Sequence, residues 1–172
     1  MGHLLEYSGI VTKTRAMESR LLSPGQFQEL ASLHTIPEAV EYLKKNTAYA
    51  ETLESLEPTQ LHRGNIEKLL TQSLYRDYTK LYRFCGQKQR KFMELRLKSY
   101  EIDLIDYCLR IVINHYKRPF DLHYKKEFFD RYSQLSIDRL ITSRTTDELV
   151  DNLKGTEYYD PVSYTHLTLP TT

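Results

Sequence analysis

Apolar residues recur at three- and four-residue steps along nearly the whole chain, and no alternating run marks a strand. The pattern predicts an all-α protein made of repeated helical-bundle modules. A first helix is expected over "EYSGIVTKTRAMESRLL", stopping at Ser23-Pro24-Gly25. Ser23 can cap a short second helix with Pro24 in its first position. Thr35 is placed to cap a third helix, and Glu38 three residues on completes a capping box. Ile36, Val40 and Leu43 form that helix's apolar side, which fades at Asn46-Thr47.

After Glu57-Pro58-Thr59 a long helix is predicted to about Cys85, with Ile66, Leu69, Leu70, Leu74, Tyr78 and Leu81 as one buried stripe. Gly86 breaks it. A second long helix carries Phe92, Leu95, Ser99, Ile102, Ile105, Leu109 and Val112 on one side. Its later half adds Leu104, Cys108 and Ile111 on another side, so burial on more than one face is expected. Arg118-Pro119 is expected to end it, and short helices follow.

One segment returns. "TIPEAVEYLKKNTAY" (Thr35–Tyr49) is echoed by "TTDELVDNLKGTEYY" (Thr145–Tyr159). At a constant offset Leu30 matches Leu140, Thr35 matches Thr145, Glu38 matches Glu148, Val40 matches Val150, Leu43 matches Leu153 and Lys44 matches Lys154. After one dropped residue, Thr47 matches Thr156 and Tyr49 matches Tyr158. The period far exceeds solenoid repeats of about 20–50 residues, so whole modules are duplicated. Residues 1–115 form the first module, and 116–160 begin a second that is cut short.

The end of the chain differs in character. Val162–Thr172 holds no acidic or basic residue apart from His166. It back-translates without a gap as the transposase adapter of sequencing libraries, and Pro161 fits the same string. Residues 161–172 are therefore expected to be translated adapter. The native sequence is then cut near Asp160, and its own C-terminus is missing.

Composition narrows the function classes. Charged residues make up 27% of the 172, yet the net charge is only +1. A dedicated nucleic-acid or membrane-surface binder would carry a strong basic excess. There are 14 Tyr and no Trp, which suits half-buried positions with an apolar ring and a polar tip. Cys85 and Cys108 have neither CxxC spacing nor a histidine cluster, which fits a reducing, cytoplasmic setting. The N-terminus lacks the layout of a secretory signal. Glu6 stands where a myristoylation motif needs Ser or Thr. The most apolar run, "IDLIDYCLRIVI", is interrupted by Asp103, Asp106 and Arg110 and is too short to span a bilayer.

Catalytic signatures are missing. The sequence has no GxxxxGK[ST], GxGxxG or HExxH. His115 and His123 flank Pro119 at a spacing poor for metal ligation. Glu101, Asp103 and Asp106 are the tempting acidic group, Asp103 and Asp106 sharing a helix face. As general acid and base they would make a helical hydrolase that Asp103→Asn silences. A solvent-facing helix surface paired with Arg110 is the reading retained. The thiols read as buried rather than nucleophilic. Arg83, Lys88, Arg90 and Lys91 surround Gly86 with Tyr82, Phe84 and Phe92 beside them. They read as a solvated helix junction or a contact for an acidic protein. Tyr75, Tyr78 and Tyr82 read as core packing rather than a base-stacking platform. No catalytic, cofactor-binding or metal-binding residue is assigned.

Four segments carry a resemblance: "YSGIVTKTRAMESRLL", "FQELASLHTIPEAVEYLKKNTAY", "YEIDLIDYCLRIVINH" and "TTDELVDNLKGTEYYDP". Together they resemble the C subunit of the V-type (archaeal/vacuolar-type) rotary ATPase, known as the d subunit in eukaryotes. The resemblance covers Tyr7 to Asp160, about the first half of a family member. It implies three similar helical modules, of which the third is absent here. It also implies a non-catalytic central-stalk rotor subunit without a cofactor. Such a subunit forms a funnel on the cytoplasmic side of the proteolipid ring and receives the foot of the central shaft. It would couple ATP hydrolysis or synthesis to proton or sodium transport. Its partners are the shaft subunits and the ring, and it is peripheral to the membrane with no span of its own. The partner interface is a broad surface, so no family residue is carried over. Without a third module the funnel cannot close, and apolar surface is expected to be exposed. The alternative is a stand-alone helical adaptor or scaffold.

Overall fold

The computed structural model describes residues 2–116 and 120–168, with side chains described from 7 to 116 and from 120 to 164. The described residues are helical throughout, with no strand among them. Helices α1 (Gly2–Glu18), α2 (Pro24–Ser32), α3 (Ile36–Asn46) and α4 (Ala50–Leu53) precede two long ones, α5 (Arg63–Phe84) and α6 (Gln87–Ile113). Then come α7 (Lys126–Tyr132), α8 (Ile137–Leu140), α9 (Thr146–Asn152) and α10 (Tyr159–Thr168). Contacts group the chain into two compact units, Met1–Arg90 and Lys91–Thr172. Compactness thus divides the chain in the first turn of α6. The duplication read from sequence sets its module boundary after His115.

In the first unit α1 ends earlier than its pattern predicts. Arg20 and Leu21 donate to carbonyls only three residues back, and the Ser19 hydroxyl donates to the Ala16 carbonyl at 3.0 Å. These bonds satisfy carbonyls that further helix would have used, and Leu21 is left exposed. Ser23 caps α2, and Gln26 returns the bond to the Ser23 N–H, completing a second capping box. The Gln26 amide also donates to the Asn46 carbonyl at 2.8 Å, tying α2 to the end of α3. Before α5, Pro58–Gln60 turn as a 3₁₀ segment, and the helix starts where the His62 ring nitrogen accepts from Gly64 N–H at 3.0 Å. The core is Val40, Leu43, Leu53, Leu56, Tyr75, Tyr78 and Cys85. Leu74, expected inside, is 48% exposed, while its neighbour Tyr75 is buried. On α5 the buried face is therefore set by tyrosines, whose rings offer more area than Leu74 could.

The second unit is built on Leu104, Ile105, Cys108, Leu122, Phe129, Ile137, Leu140, Leu149 and Leu153, all at most 5% exposed. Phe128 meets Phe129, Tyr132 and Tyr100 edge-on or tilted at 5.3 to 6.1 Å. The expected buried stripe of α6 holds in its later half, where Ile105 and Val112 are buried, but not in its first half. Phe92, Leu95 and Ile102 are exposed, while Met93, Leu97, Glu101, Leu104 and Cys108 turn inward. Over the first half of the helix the buried face lies about half a turn from the predicted one. Both faces of α6 are apolar, so periodicity by itself cannot choose between them. The choice is made by Phe128, Ser133 and Tyr158, which meet the inward side. Burial of Leu104 and Cys108 together with Ile105 and Val112 agrees with the broad apolar surface expected of the later half.

Helix α6 stops at Ile113. His115 takes φ 50, and Tyr116 N–H reaches back to the Ile111 carbonyl at 3.1 Å. A left-handed residue with such a backbone bond is a self-contained helix stop. The breaker expected from sequence, Arg118-Pro119, lies outside the described residues. Helix α10 includes Val162–Thr168, the first part of the segment read as adapter.

The two echoed segments share their local bonding. Thr35 Oγ1 accepts from Glu38 N–H at 3.3 Å, and Thr145 Oγ1 accepts from Glu148 N–H at 3.2 Å. Each glutamate bonds back to the N–H before its threonine, at His34 (3.1 Å) and Arg144 (2.7 Å). Thr47 Oγ1 donates to the Leu43 carbonyl and accepts from Tyr49 N–H; Thr156 Oγ1 does the same with Leu153 and Tyr158. Gly155, at φ +86, turns the chain after α9, a conformation that costs a side-chain-bearing residue dearly. The one-residue difference between the segments falls at this turn.

Candidate functional site

Polar side chains gather in the second unit at Glu101. This carboxylate is only 6% exposed. It accepts from the Tyr158 hydroxyl at 2.7 Å and from the Ser133 hydroxyl. Ser133 Oγ in turn accepts from Leu135 N–H at 3.0 Å, which holds the chain as it leaves α7. Beside it, Lys98 pairs with Glu157 at 2.6 Å. Burial, and then the bond to Glu101, push the Tyr158 hydroxyl above the usual tyrosine range. A buried carboxylate needs donors, and two hydroxyls from distant segments supply them. The result is a clasp holding the chain after α7 and the segment before α10 against α6.

The three carboxylates singled out from sequence therefore part company. Asp106 pairs with Arg110 at 2.9 Å on the exposed helix surface, as expected. Asp103 is exposed and faces Lys125, whose charge it supports against burial. Glu101 was expected at the surface with them and is instead buried. Its position on α6 gave no sign of this, because its donors come from residues 133 and 158. No acid–base pair forms from the three.

Both cysteines are free and buried. Burial pushes the Cys108 thiol up to about 12, with the Lys125 charge opposing. Burial likewise raises Cys85, with Arg90 opposing, and its Sγ sits 3.3 Å from the Leu81 carbonyl. Thiols held protonated are poor nucleophiles. His115 and His123 are both exposed. Among the described residues no group of three or more His, Cys, Asp or Glu side chains is placed to hold a metal ion.

Around Gly86, the Arg90 guanidinium lies 5.1 Å over the Tyr82 ring, and Tyr82 stacks on Tyr78 at 6.0 Å. Lys13 lies 5.2 Å over Phe84. Tyr75 and Tyr78 are core residues, as read from sequence. A cleft of about 580 Å³ also lies in the first unit, between α1, α4 and α5. Lys13, Arg20, Arg76 and Lys80 line it with Glu51 and Asp77. Arg76 donates to Thr52 Oγ1 at 3.1 Å, and Lys80 pairs with Asp77 at 3.3 Å. Sequence reading missed this cleft because its walls come from three separated segments. It offers mixed charge and hydroxyls but no activated nucleophile.

Comparison with known proteins gives this helical fold a family. The family model for the ATP synthase (C/AC39) subunit matches residues 10–168. The chain belongs to that family. Similar relatives include the C subunit of the A-type ATP synthase of Pyrococcus horikoshii, 30% identical over 91% of this chain and 40% of the relative. Its counterpart in Thermococcus kodakarensis is 25% identical over 90% of this chain and 40% of the relative. The Pyrococcus abyssi counterpart is 28% identical over 91% and 40%. This family member thus spans about two fifths of the length of the curated relatives it matches. No solved structure matches it. No helix among the described residues is long and apolar enough to cross a membrane.

Proposed function

We propose that this chain is part of a non-catalytic central-stalk subunit of an archaeal/vacuolar-type rotary ATPase. In that role it links the central shaft to the proteolipid ring and couples ATP hydrolysis or synthesis to proton or sodium transport. The carrying observation is the family match over residues 10–168, to a family whose similar members include the C subunits of A-type ATP synthases. A torque-passing part needs stiffness, and close-packed long helices supply it. The local chemistry agrees with that demand. The buried carboxylate is spent on two hydroxyls, and the thiols are held protonated. The partner contacts are broad surfaces on the shaft and the ring, reached from the cytoplasmic side without a membrane span. The two Thr-capped segments are copies of one module, the first over 1–115 and the second beginning at 116. Their matching cap and exit bonds support that duplication.

Co-purification tests this reading. The gene product, tagged at its N-terminus and expressed in its source cells, is recovered from detergent-solubilised membranes. Shaft and ring subunits are expected in the eluate at stoichiometric levels. Recovery of a soluble chain without either partner rejects the rotor role and favours the stand-alone adaptor.

A further inference from the structure

The exits of α3 and α9 are bonded alike, yet their tyrosines meet different surroundings. Thr47 and Thr156 hold the chain in the same pair of bonds, two residues before Tyr49 and Tyr158. In the second unit the Tyr158 hydroxyl donates to a carboxylate that the chain itself buries, Glu101. In the first unit Tyr49 lines the cleft between α1, α4 and α5. Among the described residues no carboxylate bonds its hydroxyl.

The charges around that cleft are unbalanced. Lys13, Arg20, Arg76 and Lys80 line it with only Glu51 and Asp77, an excess of two positive charges. Lys80 takes Asp77 at 3.3 Å, and Arg76 donates to a neutral hydroxyl, Thr52, at 3.1 Å. Among the described residues neither Arg20 nor Arg76 forms an ion pair.

Charge, shape and size define what fits. A phosphate monoester carries about −1.5 to −2 charges at pH 7, which matches the excess. A single carboxylate carries less and competes poorly with the two already present. Guanidiniums grip phosphate oxygens through paired N–H donors. The cleft measures about 580 Å³, inside the roughly 300–1,000 Å³ of small-molecule sites and far more than one phosphate group fills. Met17, Leu21 and Leu69 add apolar wall for an organic body.

We propose that this cleft binds a small phosphate monoester, with Arg20, Arg76 and the Tyr49 hydroxyl holding the phosphate. The inference does not use the rotor role. Its test is read on the isolated chain, so either proposal can fail alone.

The test is calorimetric titration of the chain with phenyl phosphate at fixed ionic strength. One molecule should bind per chain, with a Kd below about 1 mM. Arg20→Gln and Arg76→Gln should each weaken binding about tenfold or more, and Tyr49→Phe about threefold. Glu51→Gln should tighten it several-fold, because a competing charge is gone. Arg110→Gln, on the exposed surface of α6, should leave it unchanged. Melting curves check that each variant is folded. No saturable binding below about 10 mM overturns the proposal. Equal weakening by Arg110→Gln also overturns it, as general charge attraction. Inorganic phosphate binding as tightly overturns the ester in favour of free phosphate. A hexaglutamate peptide binding more tightly overturns it in favour of an acidic protein segment.

Discussion

Tyr158 holds its proton first because burial disfavours the phenolate, and then because its hydroxyl donates to Glu101. A group whose folded pKa is raised stabilises the fold fully below its unfolded value and stops doing so as pH climbs through the folded one. The unfolded values are 10.0 for Tyr158 and 9.0 for Cys108, and both are raised by folding. Stability should therefore change little between pH 7 and about 9 on account of these two groups and decline above that. Urea unfolding at stepped alkaline pH measures this. Tyr158→Phe should flatten the decline. It should also cost about 1–3 kcal/mol at neutral pH, since Glu101 then loses a donor. A decline unchanged in this variant assigns the alkaline loss to other groups.

Among the elements, the helix starts were the most legible part of the fold. A capping box is completed within four residues, so Thr35 with Glu38 can be recognised without knowing what the helix packs on. The box formed by Ser23 and Gln26 has the same local character and follows the same rule. Removing the cap hydroxyl by Thr35→Ala or Thr145→Ala should cost about 1 kcal/mol each. Amide hydrogen exchange should speed up first in α3 or α9 respectively. Loss below about 0.3 kcal/mol in either variant would mean that packing alone fixes that helix start. What could not be read locally was the orientation of α6. Phe92, Leu95 and Ile102 have helical spacing, and so do Met93, Leu97 and Leu104. Only partners far along the chain, such as Ser133 and Tyr158 on Glu101, separate the two faces. Glu101 itself looked like part of an ordinary charged surface for the same reason. The cleft between α1, α4 and α5 was equally hidden, since Arg20, Thr52 and Arg76 meet only after folding.

At the scale of the whole molecule, the all-helical reading and the family followed from the order and spacing of the segments, which survive wherever individual faces are misassigned. The division into two compact units has a practical consequence through the cysteines. Cys85 lies in the first unit at 5% exposure and Cys108 in the second at 0%. Each half of the molecule therefore contains its own thiol clock. A reagent too large to enter a packed core reports the opening of whichever half releases its sulfur, and those openings need not be global. Cys85 closes the end of α5, whereas Cys108 sits in mid-helix, so the first clock should run faster. Cys85→Ser removes the fast phase and identifies it. Two separated rates would show that the halves breathe independently under native conditions, and one shared rate would show that they open together.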